Sequence, residues 1–209
     1  MRTPVLIFDF GNVVAHFDYA RACEPLAAPL GLTGSQLLER CRERGFTPLL
    51  HQFEAGRIGE HEFSRLAREI VGTTVDHETF VAAWQDIFWI NEPVAELIAG
   101  LKERGYRLLL GSNTNVIHAT YYRRKFAREL AVFENFVLSY EVGAEKPSAR
   151  FYEVCAQTAG VPPGECLFVD DMPENVDGAR RTGLQAVLYR DVAGLRRDLA
   201  GAGVDIPPS

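Results

Sequence analysis

The sequence predicts an α/β protein: a parallel sheet with helices on both faces and a helical block inserted after the first strand. Three observations lead there. The run Val5-Leu6-Ile7-Phe8 is continuously apolar and stops at Asp9-Phe10-Gly11-Asn12, as a strand buried on both faces does where the chain turns. From about residue 91 onward, short apolar runs alternate with segments of helical periodicity, which implies right-handed crossovers in a parallel sheet. Between these regions, residues 18–90 show helical spacing and no convincing strand.

Taken in order, the inserted block carries helical patterns over 19–30, 35–44, 60–71 and 76–88. In the third of these, Phe63, Leu66, Ala67, Ile70 and Val71 share one face while Arg65, Arg68 and Glu69 share another, the signature of a half-buried helix. Thr33-Gly34-Ser35 and Thr73-Thr74-Val75-Asp76 supply cap-and-turn connections. Helix 94–103 has Pro93 at its start and Gly105 after its end, the usual asymmetry. Strand 107–112, helix 117–128, strand 136–139 and helix 149–159 follow. Then come strand 166–170, helix 174–181, strand 185–188 and a last helix over 192–200. The tail ending Pro207-Pro208 is expected to stay loose. The expected organisation is a core of residues 1–17 and 91–209 interrupted by an inserted block, 18–90.

With 209 residues, 47% of them apolar and 24% charged, the chain is long enough for one full core plus an insertion. The formal charge of −6 argues against a nucleic-acid or anionic-membrane surface. Tyr121-Tyr122-Arg123-Arg124-Lys125 is basic and aromatic, but reads as the solvated face of an amphipathic helix. No stretch has the apolar length of a membrane span, and a signal-peptide pattern is absent, so a cytoplasmic location is expected. Cys23, Cys41, Cys155 and Cys166 are widely spaced, without a C-x-x-C, and read as reduced, packed thiols.

Parallel strands deliver the residues after their C-terminal ends to one edge, where open α/β sheets bind ligands. Four polar groups arrive there: Asp9; Ser112-Asn113; Lys146-Pro147; and Asp170-Asp171, with Asn175 and Asp177 following. Singly, each has a structural explanation. Asp9 suits a turn, Ser112 a helix cap, Lys146 the solvated surface and the Asp pair a cap. Together they describe a site of one chemistry. Gathered carboxylates repel unless a cation lies among them, and Mg²⁺ is the hard cation suited to such oxygens. Asp9 would then be a carboxylate nucleophile toward phosphorus. Lys146, Ser112 and Asn113 would meet the charge of the transferring group.

These four motifs, in this order, resemble the haloacid dehalogenase-like hydrolase superfamily over essentially the whole chain. The resemblance implies a three-layer, Rossmann-like core with a small helical cap that selects substrate. It also implies an aspartyl-phosphate formed on Asp9, and Mg²⁺ held by Asp9, the Gly11 carbonyl and Asp171, with Asp170 and Asn175 in support. Phe8-Asp9-Phe10-Gly11-Asn12-Val13 and His51-Gln52-Phe53-Glu54-Ala55-Gly56-Arg57-Ile58 look closest to the branch of the α-D-glucose-1-phosphate phosphatases. In the cap, His51, Gln52, Glu54 and above all Arg57 are candidates to touch substrate, against the simpler reading of surface residues around a Gly turn.

One position departs from the family. Most of its phosphatases carry a second Asp two residues after the nucleophile, as general acid; here that residue is Gly11, which the sugar-phosphate branch shares. His16 and Asp18 are the sequence candidates to replace it. The function expected is a Mg²⁺-dependent phosphomonoesterase acting on a small phosphorylated metabolite, a sugar phosphate foremost. The alternatives are a metal-free 2-haloacid dehalogenase, against which the Asp170-Asp171 pair argues, and a non-catalytic phospho-ligand binding protein. No G-x-G-x-x-G follows the first strand, which sets dinucleotide binding aside.

Overall fold

The computed structural model describes residues 3–208, so the outermost residues of the expected core boundaries lie outside it. The elements are β1 (Val5–Phe8), β2 (Ala15–Phe17), α1 (Tyr19–Ala27), α2 (Gly34–Glu43), α3 (Phe46–Glu54), α4 (Glu60–Val71), α5 (His77–Gln85), β3 (Phe88–Ile90) and α6 (Glu92–Glu103). They continue with β4 (Leu108–Ser112), α7 (Val116–Lys125), α8 (Ala127–Leu130), β5 (Asn135–Leu138), α9 (Ser139–Val142), α10 (Ala149–Ala159), β6 (Cys166–Asp170), α11 (Pro173–Arg181), β7 (Gln185–Leu188) and α12 (Val192–Gly201).

Five strands form a sheet in the order β5-β4-β1-β6-β7, every pairing parallel. β1 lies at its centre, with Phe8 opposite Leu110 on one side and Val169 on the other. Two apolar cores explain why the central strands are apolar at every position. Leu6, Phe8, Leu108, Leu110, Leu167 and Val169 face a core with α6, α7 and α12. The alternate residues Val5, Ile7, Leu109, Cys166 and Phe168 face a second core with Phe151, Tyr152 and Cys155 of α10. The expected three-layer class is the observed one.

The first core runs on without interruption through Phe10, Val13 and Phe88 into the insert, to Phe53, Phe63, Phe80 and Trp84. The insert joins the sheet domain through an antiparallel pair, β2 with β3, in which Ala15 faces Ile90 and Phe17 faces Phe88. Thr33 caps α2 in a reciprocal capping box with Gln36, and Asp76 caps α5.

Several expectations are corrected. The helix expected over 76–88 stops at Gln85, and a strand, β3, begins at Phe88; its three residues are too few to display a period of two. Helix α3 is not among the expected helical patterns; its Pro48 lies in the first turn, where a missing N–H costs nothing. The helix expected over 117–128 is divided at Phe126 into α7 and α8. The tail is docked rather than loose. Val204 and Pro207 are buried, the Asp205 amide donates to the Tyr106 hydroxyl at 2.6 Å, and Arg196 donates to the Pro207 carbonyl. Gly100 on α6 admits this contact, since a Cβ there would come within 2.7 Å of Pro207. Among the described residues, no helix is long and apolar enough to cross a membrane.

Candidate active site

The strand order reverses between β1 and β6: the chain winds outward through β4 and β5 on one side and through β6 and β7 on the other. Such a switch point opens a crevice at the strands' C-terminal ends. Asp9 and Asp170 end the two strands that flank it. The Asp9 amide donates to the Val169 carbonyl at 2.9 Å, which extends the ladder to the carboxylate-bearing residue itself.

Lys146 lies between the two carboxylates. Its ammonium is 2.8 Å from Asp9 Oδ1 and 2.7 Å from Asp170 Oδ2, with side-chain exposures of 2%, 9% and 0% respectively. Asp9 Oδ1 also accepts from the Phe10 amide at 2.7 Å. Burial opposes the charge on Lys146, but Asp9 and Asp170 together hold its pKa above the ordinary lysine value. Burial drives the Asp9 carboxyl upward from the ordinary range; Lys146 pulls it back and Asp170 pushes it further up. The ensemble is short of positive charge.

Oxygens of Asp9, Asp170 and Asp171 lie within 4.8 Å of one another. The surroundings distinguish the adjacent pair. Asp170 is saturated: Oδ1 accepts from the Met172 amide and the Asn175 amide group, each at 2.9 Å, while Oδ2 holds Lys146. Asp171 is half-buried and its Oδ2 accepts from the Asn12 side-chain amide at 3.2 Å, and burial raises its pKa. Three carboxylates against one ammonium, with Asp171 the least engaged, suit a hard divalent cation with oxygen ligands. Asp9, Asp171 and the Gly11 carbonyl would hold such an ion, with Asp170 and Asn175 behind them.

Two asparagines in this framework have roles that the sequence does not show. Asn12 adopts a left-handed conformation (φ 56°), which Asn tolerates better than most residues. From there its amide reaches Asp171. Asn113, expected as a substrate contact, lines the cavity at this edge, and its side chain also grips the main chain of Lys146, accepting from the amide at 2.8 Å and donating to the carbonyl at 3.0 Å. This clamp aims the lysine. Asn113→Ala is expected to destabilise the protein by about 1–3 kcal/mol, since a buried main-chain pair loses its partners; chemical denaturation with the slope held fixed checks this.

A small cavity of about 50 Å³ opens at this edge, lined among others by Gly11, Phe17, Tyr19, Glu54, Ser112 and His118. Ser112 is buried beside it, its hydroxyl 3.3 Å from the Asn113 carbonyl. The insert closes over the cavity from above. Gly56, at the end of α3, is in the left-handed region and abuts the Tyr140 carbonyl so closely that a Cβ would collide with it. His51 of α3 meets Glu145 of the sheet domain at 3.0 Å. Arg57 is exposed and does not line the cavity. Nor do the two candidate acids. Asp18 caps α1 through the Ala20 amide, and His16 lies against Trp89 on the β2–β3 pair.

The model of the haloacid dehalogenase-like hydrolases matches residues 4–183. The chain belongs to that family. The hydrolase is 25% identical to D-ribitol-5-phosphate phosphatase of Bacteroides thetaiotaomicron, over 93% of this chain and 95% of that one. Its fold is similar to the crystal structure of a haloacid dehalogenase-family enzyme from the same organism in complex with magnesium and inorganic phosphate. There the TM-score is 0.73 at 28% identity, covering 90% of this hydrolase and 95% of the other chain. It is also similar, in fold alone, to L-2-haloacid dehalogenase of Xanthobacter autotrophicus, with a TM-score of 0.67 at 17% identity over 98% of this chain and 85% of that one.

Proposed function

We propose that this hydrolase is a Mg²⁺-dependent phosphomonoesterase acting on a small phosphorylated metabolite, a sugar or polyol phosphate foremost, with residues 18–90 serving as the cap over the site. The observation that carries the reading is the arrangement of Asp9, Lys146, Asp170 and Asp171, in which three carboxylates share one ammonium. The magnesium and phosphate in the related crystal structure, and the phosphatase among the curated relatives, support it.

In this mechanism a carboxylate oxygen of Asp9 attacks phosphorus. The bond to the leaving oxygen breaks, and water then cleaves the aspartyl-phosphate to restore Asp9. The ion would neutralise charge on the transferring group. Lys146 meets that charge from the other side, fixed in place by the Asn113 clamp, and the Ser112 hydroxyl offers a further donor. The insert over the cavity shields the reacting groups from bulk solvent while leaving room for the attacking water.

Hydrolysis of a panel of sugar, polyol and aryl phosphates is expected with Mg²⁺ and to vanish with EDTA. Halide release from 2-haloacids, undiminished by EDTA, would overturn the reading in favour of a dehalogenase. Phosphate binding without turnover would leave a binding protein.

A further inference from the structure

An ester with a poor leaving group needs a proton on the departing oxygen, and the usual place for the donor is closed in this chain. Gly11 has no side chain, and a Cβ there would sit 3.0 Å from Phe17 Cε1, so the ring already occupies that room. The donor must come from elsewhere around the cavity. Three titratable side chains line it: Tyr19, His118 and Glu54. His118 is committed. Its Nε2 faces the Trp84 carbonyl at 3.0 Å and so carries the hydrogen, leaving Nδ1 to accept from Asn115 at 3.1 Å. Burial holds that ring neutral, its pKa pushed down to about 4. Tyr19 is a weak acid made weaker, because burial and the nearby Glu54 raise its phenol well above the ordinary value. Glu54 remains.

Resting on the phosphatase reading, we propose that Glu54, carried on the insert, is the catalytic acid that protonates the leaving oxygen. It stands at the last turn of α3, where the insert comes down on the sheet domain at Gly56 and His51. As Asp9 forms its bond to phosphorus and the ester bond breaks, the Glu54 proton passes to the departing alkoxide, leaving an alcohol and a carboxylate. That carboxylate then takes a proton from the water that attacks the aspartyl-phosphate, so both groups return to their starting forms. The charged or titratable groups around Glu54 are His51 on its own helix, Glu145 and Lys146 from the loop below, and Tyr19 on α1. Burial, with Glu145 adding to it, pushes the carboxyl up to about 7 against the pull of His51 and Lys146. A proton is therefore available near neutrality.

The test compares kcat/KM of Glu54→Gln and wild type on an alkyl phosphate and on 4-nitrophenyl phosphate, whose leaving group needs little help. The ratio is read to the first irreversible step and so isolates the proton donation. Glu54→Gln is expected to lose ~10²–10⁴-fold on the alkyl ester and far less on the nitrophenyl ester. The wild-type decline on the alkyl ester above pH about 7 should disappear in the variant, and Glu54→Asp should recover part of the loss. Equal losses on both esters, or no loss on either, would overturn the role of Glu54. Continued Mg²⁺-dependent hydrolysis of the nitrophenyl ester by wild type would in that case leave the phosphatase reading standing. Failure of the wild type on both esters would remove both readings together.

Discussion

Asp9→Asn is expected to lower turnover of any phosphate ester by on the order of 10⁴–10⁶-fold, the scale seen when a covalent nucleophile is removed from an otherwise intact site. Both hydrogen bonds to Asp9, from the Phe10 amide and from Lys146, land on Oδ1, so the protein leaves Oδ2 unengaged and available to react. An amide in the same place keeps the shape and can keep Oδ1 as acceptor, but its second atom is a nitrogen with no usable lone pair. The fold should not suffer. One of three crowded carboxylates is neutralised and Lys146 retains Asp170, so the thermal midpoint should stay level or rise. Initial rates with 4-nitrophenyl phosphate, beside a melting curve, check both halves. A rate within ~10-fold of wild type, about 1.4 kcal/mol of barrier, would remove Asp9 as the nucleophile.

How much of this was legible beforehand differs between the sheet and the insert. β1, β4 and β6 were readable because each is buried on both faces, so its apolar run is unbroken and ends sharply at a polar residue. Their parallel pairing then brings Asp9, Ser112 and Asp170 to one edge with no further information. The β2–β3 pair is not readable: three residues per strand leave no period, and the helical pattern of 76–88 runs up to Phe88, where β3 begins. The tail misled for a similar reason. Pro207 looks like a terminator, and the bare backbone of Gly100, about half the chain away in sequence, gives it a place to lie.

The same division holds within the site. Residue types identified the cluster, yet not the direction of each side chain. That Asn113, which lines the cavity, also holds the Lys146 main chain depends on a loop-to-loop contact across 33 residues, which no local pattern encodes. Asn12 carried a faint signal, since an Asn after Gly in a tight turn favours the left-handed conformation it adopts. Of the cap candidates the sequence favours Arg57 over Glu54. Three residues apart across the end of α3 and its turn, they diverge completely: one lines the cavity and the other is exposed.

Lys146→Met should be the most damaging substitution for stability. The methionine has similar length and no charge, so the change removes the ammonium while filling most of its volume. Asp9 and Asp170 would then face each other at a buried edge with nothing positive between them. Breaking a buried pair from one side costs about 3–5 kcal/mol, and at roughly 2–4 °C per kcal/mol for a chain of this size the thermal midpoint should fall by about 6–20 °C in EDTA. Two further measurements identify the cause as charge and not packing. Asp170→Asn added to Lys146→Met should recover part of the loss, because it removes one of the stranded charges while preserving an acceptor for Asn175 and the Met172 amide. Millimolar Mg²⁺ should stabilise Lys146→Met by more than it stabilises wild type. A cation binds the folded state more tightly when the carboxylates around it have lost their other counter-charge, and tighter binding raises stability by mass action. Should the single variant melt in EDTA where wild type does, the lysine contributes no net stabilisation to the carboxylates, and the case for a cation among them loses its electrostatic basis.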